Sequence, residues 1–276
     1  MTYDPLVSPN WLAENLAQAV VLDATYFLPP DPERGRAKYL EAHIAGAQLF
    51  EIDEIASTTN GLPHMLPDPD TFAGGMARLG IDGSTPVVVY DRSANHFSAP
   101  RVWMTLRLYG ISQVYVLNGG LQAWTEAGHT VANGEEEPRP VAPRNWTLDV
   151  ASVIDGQSLR DEIERKGPVI LDARSQDRFD GRAPEPRAGL QSGHMRGATC
   201  VPFTSFTQPD GSFATPAQLN DIFGDAPETT PVVSCGSGMT ACVLALGLAR
   251  IGRPALLYDG SWSEWGQGHL GEILQA

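Results

Sequence analysis

The chain has 276 residues, 42% of them hydrophobic, enough for one large domain or two small ones. Its 19 Lys and Arg stand against 33 Asp and Glu, a formal net charge of −14, and the basic residues form no run. That balance argues against nucleic acid or an anionic membrane surface as a partner. No stretch approaches the roughly 18 apolar residues of a membrane span. The first apolar stretch is short and interrupted by Asp4, Pro5 and Pro9, so no signal peptide is expected. Cys200, Cys235 and Cys242 fit neither a disulfide framework nor a metal-ligand spacing, so free thiols in a reducing compartment, the cytoplasm, are expected.

In chain order, Val20 to Ala24, Val87 to Tyr90 and Val114 to Leu117 are short β-branched runs that predict buried strands. Pro100 to Tyr109 predicts a helix with proline in its first turn. From Asn133 to Pro143 the chain is charged, proline-rich and without apolar period, which predicts a semi-extended linker. Beyond it the pattern starts again. Val20-Val21-Leu22-Asp23-Ala24 recurs as Val169-Ile170-Leu171-Asp172-Ala173, and His43 to Ala47 recurs as His194 to Ala198. Pro86 to Val89 recurs as Pro231 to Ser234, and Leu117-Asn118-Gly119 ahead of Trp124 recurs as Tyr258-Asp259-Gly260 ahead of Trp265. Four matches in the same order, at nearly one offset, indicate two copies of one fold. Alternating strands and helices predict an α/β class, with a mainly parallel sheet covered by helices on both faces in each copy. The expected boundaries are a noncatalytic domain over 1–135, a linker over 136–148 and a catalytic domain over 149–276.

The copies differ where chemistry is expected. In the second, the apolar run Pro231-Val232-Val233-Ser234 ends at Cys235, followed by Gly236-Ser237-Gly238-Met239-Thr240-Ala241 and an apolar helical pattern to Arg250, with Gly252 as its cap. Gly236 and Gly238 let the loop's amides turn inward, and the helix beyond points its positive end at the same place. Both features suit an anionic sulfur, the nucleophilic form of cysteine. A phosphatase loop needs an arginine six residues after the cysteine; Ala241 stands there, which favours chemistry at sulfur over chemistry at phosphate. The first copy has Tyr90-Asp91-Arg92-Ser93 and no cysteine. A catalytic second domain is therefore expected, with the first as a wall of the site.

Arg174, Arg178, Arg182 and Arg187 cluster in an otherwise acidic chain. Arg178 and Arg187, flanked by Phe179 and by Pro184 and Pro186, are the best candidates for a carboxylate clamp. His43 and His194 have the same companions in both copies and are expected to serve the shared fold; Cys200 and Cys242 are expected in the core.

These stretches, with His64-Met65-Leu66-Pro67, resemble the two-domain rhodanese family, on its mercaptopyruvate-using branch. The resemblance covers nearly the whole chain. The thiosulfate-preferring branch carries an arginine and a lysine directly after the cysteine, where this chain has Gly236 and Ser237. Met239 replaces the valine expected in the loop. The resemblance implies tandem rhodanese-like domains and a sulfurtransferase that moves sulfur from 3-mercaptopyruvate through a Cys235 persulfide to a thiol or cyanide, releasing pyruvate. It implies no metal and no cofactor. Cys235 would be the nucleophile, and Ser237, His64 and Asp53 a proton relay. Arg178 and Arg187 would bind the donor, with Gly236, Gly238, Met239 and Thr240 lining its site. Thiol acceptors, thioredoxin among them, would be the partners. The alternatives are a thiosulfate:cyanide sulfurtransferase and a noncatalytic persulfide carrier or docking module.

Overall fold

The computed structural model describes residues 4–58, 60–224 and 229–276. The chain divides into two compact units, Met1–Ser57 with Pro67–Leu148 and Thr207–Phe213, and Thr58–Leu66 with Asp149–Phe206 and Ala214–Ala276. Two short segments thus fall outside the expected boundaries. The segment 58–66, which carries His64, belongs to the second unit, and 207–213 belongs to the first.

In the first unit, β1 (Leu6–Val7), β2 (Val20–Asp23), β3 (Gln48–Leu49), β4 (Val87–Tyr90) and β5 (Val114–Leu117) form one sheet. Its order is β1-β5-β4-β2-β3, with every pairing parallel. In the second, β6 (Val153–Ile154) and β7 (Ile170–Asp172) precede β8 (His194–Met195), β9 (Ala198–Cys200), β10 (Val232–Ser234), β11 (Leu256–Tyr258) and β12 (Ile273–Leu274). The main sheet runs β6-β11-β10-β7-β9, again all parallel, and β8 pairs with β12 in an antiparallel ribbon. The two strand orders correspond one for one, so the sequence repeat is a repeat of topology. Parallel neighbours need crossovers, which helices fill over both faces.

Burial explains the apolar runs. Val87, Val88, Val89 and Tyr90 of the central strand β4 are all 0% exposed, and its counterpart β10 is equally closed. The helix Ser98–Leu108 starts two residues earlier than expected, leaving Pro100 in its first turn. In Ala241–Arg250, every residue from Ala241 to Leu248 is buried, which makes its N-terminal end rigid. The cores use equivalent positions: Ile44, Val88 and Trp124 in one, Met195, Val232 and Trp265 in the other. His43 and His194 also repeat their roles. Each holds a backbone carbonyl through Nδ1, of Tyr39 at 2.8 Å and of Phe179 at 2.9 Å, and each stacks on that residue's ring.

The stretch expected as a linker is packed onto the first unit instead. Glu136 accepts from the Gly46 amide at 2.8 Å and meets His43 Nε2 at 3.2 Å; the Val141 amide donates to the Ala77 carbonyl. Trp146 is buried edge-on to Phe72. Composition alone hides this, because the anchors are single side chains and backbone groups without a period. No helix among the described residues is long and apolar enough to cross a membrane.

Candidate active site

β10 ends at Ser234, and the next residue, Cys235, is 1% exposed at the carboxyl edge of the sheet. Parallel α/β sheets place their ligands at that edge. The loop from Cys235 to Thr240 is held by the turn after β11. Trp262 N–H donates to the Cys235 carbonyl at 2.9 Å, and Ser263 donates to the Gly236 carbonyl from both N–H (2.8 Å) and Oγ (2.7 Å). Ser261 Oγ accepts from the amides of both Cys235 and Gly238, each at 3.1 Å, and donates to the Tyr258 carbonyl at 2.8 Å. Two amides expected around the sulfur are therefore held by a serine that the motif does not contain. The amides of Gly236, Ser237, Met239, Thr240 and Ala241 stand outside those bonds. Gly238 has φ +74°, a conformation that favours glycine and turns its N–H to Ser261.

The arginines sort themselves by partner. Arg182 lies on the surface with Asp177 and Asp180. Arg174 is fully buried, bonded to Asp172, Glu185 and the Gly193 carbonyl, and its guanidinium lies 4.0 Å over the Trp262 ring. Burial opposes its charge, but Asp172 and then Glu185 outweigh burial and hold its pKa above the ordinary arginine value. Arg178 and Arg187 are the two that reach the cysteine loop. A Cβ on Gly236 would stand 3.2 Å from Arg178 Nη2, so glycine is what lets the guanidinium lie against the residue after the cysteine. Glu185, 1% exposed, grips Arg178 at Nη2 (2.5 Å) and Nε (3.3 Å) while holding Arg174 at 2.8 Å. One buried carboxylate thus joins the buried arginine to the one at the loop. Sequence reasoning does not single out Glu185 or Ser261; Glu185 lies between Pro184 and Pro186, just ahead of Arg187, and Ser261 stands where the first copy has Gly120.

Arg187 Nη2 lies 3.3 Å from His64 Nε2 and 3.4 Å from Ser237 Oγ. A guanidinium can only donate, so in this bond His64 Nε2 accepts and the ring proton sits on Nδ1. Hydroxyl and imidazole therefore meet at one shared arginine nitrogen. His64 is 6% exposed and has φ +59°, a left-handed conformation costly for a side chain with a Cβ and often found at functional positions. Its segment is fastened to the second unit by the Leu66 amide, which donates to Asp259 Oδ2 at 2.6 Å. Asp53 lies in the first unit, on the turn of helix Ile52–Ile55, where Tyr26 OH donates to its Oδ2 at 2.7 Å. Of the remaining expected loop residues, Met239 is 1% exposed, and Thr240 is 9% exposed at the N-terminal end of the following helix.

The other cysteines are placed differently. Cys242 is 0% exposed, with Sγ 3.2 Å from the Gly238 carbonyl. Cys200 ends β9 half-buried, outside the core expected for it; burial, then Asp172 and Asp180, push its thiol up to about 11.

The rhodanese-like domain model matches residues 8–127 and 155–267. The chain is 37% identical to human 3-mercaptopyruvate sulfurtransferase, over 94% of this chain and 91% of the relative. It is 38% identical to the thiosulfate sulfurtransferase of Cricetulus griseus, over 95% and 92%. Among solved structures it is similar to SseA from Escherichia coli, described as a 3-mercaptopyruvate sulfotransferase. That match has 36% identity and a TM-score of 0.84, covering 95% of this chain and 100% of that one.

Proposed function

The chain belongs to the rhodanese-like family, and from that premise we propose that it is a 3-mercaptopyruvate sulfurtransferase working through a Cys235 persulfide. Overall identity does not choose the donor, since relatives named for either donor match almost equally. The arrangement of cations supports the choice. The two residues after Cys235 are Gly236 and Ser237, and positive charge reaches the loop from outside it, through Arg178 and Arg187. Two guanidiniums set back from the sulfur suit a donor whose carboxylate and carbonyl lie a few atoms from its own sulfur.

The Cys235 thiolate attacks the donor's sulfur, forming the S–S bond. The C3–S bond breaks and its electron pair remains on carbon, giving the pyruvate enolate. The proton that the donor's S–H gives up ends on C3, and pyruvate leaves. A thiol or cyanide then attacks the outer sulfur and restores the Cys235 thiolate. Atoms and charge balance with no added oxidant or reductant. Ser237 and His64 are proposed to carry the proton. A donor anion drawing Arg187 to itself would free both Nε2, already an acceptor, and the Ser237 hydroxyl from their shared partner. Asp53 enters this relay on family resemblance. The family's thiol acceptors, thioredoxin among them, and a cytoplasmic setting are proposed on the same basis, together with three cysteines that form no disulfide.

The test is direct. Pyruvate release from 3-mercaptopyruvate should exceed thiocyanate formation from thiosulfate by roughly tenfold or more in kcat/KM. The reverse preference would favour the thiosulfate reading, which the name of the Cricetulus griseus relative keeps open. His64→Ala should reduce turnover by about 10²-fold or more if its ring moves the proton.

A further inference from the structure

We propose that Ser261 is the positioning residue that holds the sulfur-carrying loop in its working shape. The two copies supply the argument. The parallel registers pair Tyr90 of β4 with Asp23, and Ser234 of β10 with Asp172, which shifts by one residue the match of Pro86 to Val89 with Pro231 to Ser234 expected from sequence and makes Asp91 and Cys235 equivalent positions. After the neighbouring strand, Leu117-Asn118-Gly119-Gly120-Leu121 corresponds to Tyr258-Asp259-Gly260-Ser261-Trp262. The bonding confirms this alignment. Leu121 N–H donates to the Asp91 carbonyl, as Trp262 N–H donates to that of Cys235.

Gly120 has φ +57° and Ser261 has φ +48°, both left-handed. The first copy fills the place with the residue that adopts that conformation without strain. The second fills it with a residue that resists it. Such strain persists where something else requires the side chain. Here the hydroxyl is 0% exposed and fully used: it gathers the Cys235 and Gly238 amides and donates to Tyr258. The backbone of Cys235 and the turn at Gly238 are thereby fixed to one atom on a different strand. The sulfur's position and the direction of the amides between them follow from that anchor. Ser261 need not touch the donor; it acts through the loop.

The inference rests on Cys235 being the sulfur carrier, and one readout is independent of the donor. Ser261→Gly restores the residue of the first copy and relieves the left-handed strain but loses the same buried bonds, so Tm should fall less than in Ser261→Ala. Amide exchange of the Cys235–Ala241 segment should speed up, with exchange elsewhere unchanged. Turnover should fall roughly tenfold to a hundredfold, the scale of a misplaced reacting group, with KM nearly unchanged because Arg178 and Arg187 stay in place. Ser261→Ala should show the same kinetic split with a lower Tm, since it keeps the strain and loses the bonds. Unchanged exchange in the loop and turnover within about twofold of the parent, in Ser261→Gly, would overturn the proposal. So would failure of both variants to fold, which would make Ser261 a residue of the fold alone. Faster loop exchange in a chain with no sulfurtransfer activity of either kind would overturn the functional reading while leaving the loop anchor standing.

Discussion

The end of β4 and the end of β10 are the same place in two copies of one fold, and they are satisfied in opposite ways. At the first, Asp91 is 0% exposed and its carboxylate accepts from the amides of Ser98 and Ala99, from Ser98 Oγ and from His96 Nδ1, at 2.7 to 2.9 Å. The helix N-terminus and a histidine converge on a fixed anion, and the site is closed by its own side chain. At the second, Cys235 offers one sulfur, and two of the loop's amides are held by Ser261. The same strand end, loop and helix can thus close on a carboxylate or hold a cysteine whose loop is tied to a neighbouring strand. The difference is whether the side chain at the strand end consumes the donors around it or leaves some for a transferred atom.

Removing the sulfur should have the largest effect. Cys235→Ser should abolish turnover, and donor treatment without acceptor should add one sulfur to Cys235 by mass spectrometry. Cys242→Ser and Cys200→Ser should keep most activity, the latter because a thiol pushed up to about 11 is protonated at working pH. An added sulfur found on Cys242 would reassign the nucleophile.

Next come Arg178 and Arg187, which reach the cysteine loop of the second copy. Arg178→Ala or Arg187→Ala should cost about 1–3 kcal/mol in kcat/KM for mercaptopyruvate, the scale of lost charge-assisted hydrogen bonds. Tm should change little in Arg187→Ala and fall in Arg178→Ala, which leaves the buried Glu185 carboxylate to Arg174 alone. Kinetics unaltered in both variants would return them to surface charge.

The first copy should answer in stability rather than in rate. Asp91→Ala strips a buried carboxylate from several donors and should lower unfolding free energy by about 2–4 kcal/mol. Steady-state kinetics of the folded fraction should be retained. A rate loss without a stability loss would show that the closed copy takes part in chemistry.

The smallest effect is a pH dependence. Burial opposes charge on His96, but its hydrogen bond to Asp91 and the charge of Asp91 outweigh burial and raise its pKa above 6.5. A raised histidine pKa contributes stability fully present below about pH 6.5 and lost as pH climbs through the folded-state value. Thermal unfolding should therefore show a decline above that point that His96→Gln abolishes. An identical pH profile in the variant would remove His96 from the account.

Much of the architecture was legible before any coordinates, because parallel strands buried on both faces must be continuous apolar runs and a duplication must repeat them in order. The cysteine loop was legible for a related reason: an apolar run that stops at cysteine, then glycine-rich loop and helix, is a local pattern, and Cys235 does follow β10 ahead of the helix Ala241–Arg250. Local sequence also separated His43 and His194 from the site, since both copies share their neighbours. Other features depend on residues that meet only after folding. Residues 58–66 precede the linker by a long stretch yet belong with the second unit, through a Leu66–Asp259 bond across 193 positions. Glu185 joins Arg174 to Arg178 because three charges converge in a buried place, which spacing along a loop does not reveal. Arg187 meets both His64 and Ser237 at one nitrogen, a convergence that spacing along the chain does not reveal. Ser261 reaches Cys235 from a different strand. Sequence determined which groups this protein carries and the local shapes that hold them. Tertiary structure decided which donor faces which acceptor, because a hydrogen bond depends on distance and direction in space, and the chain between two partners sets neither.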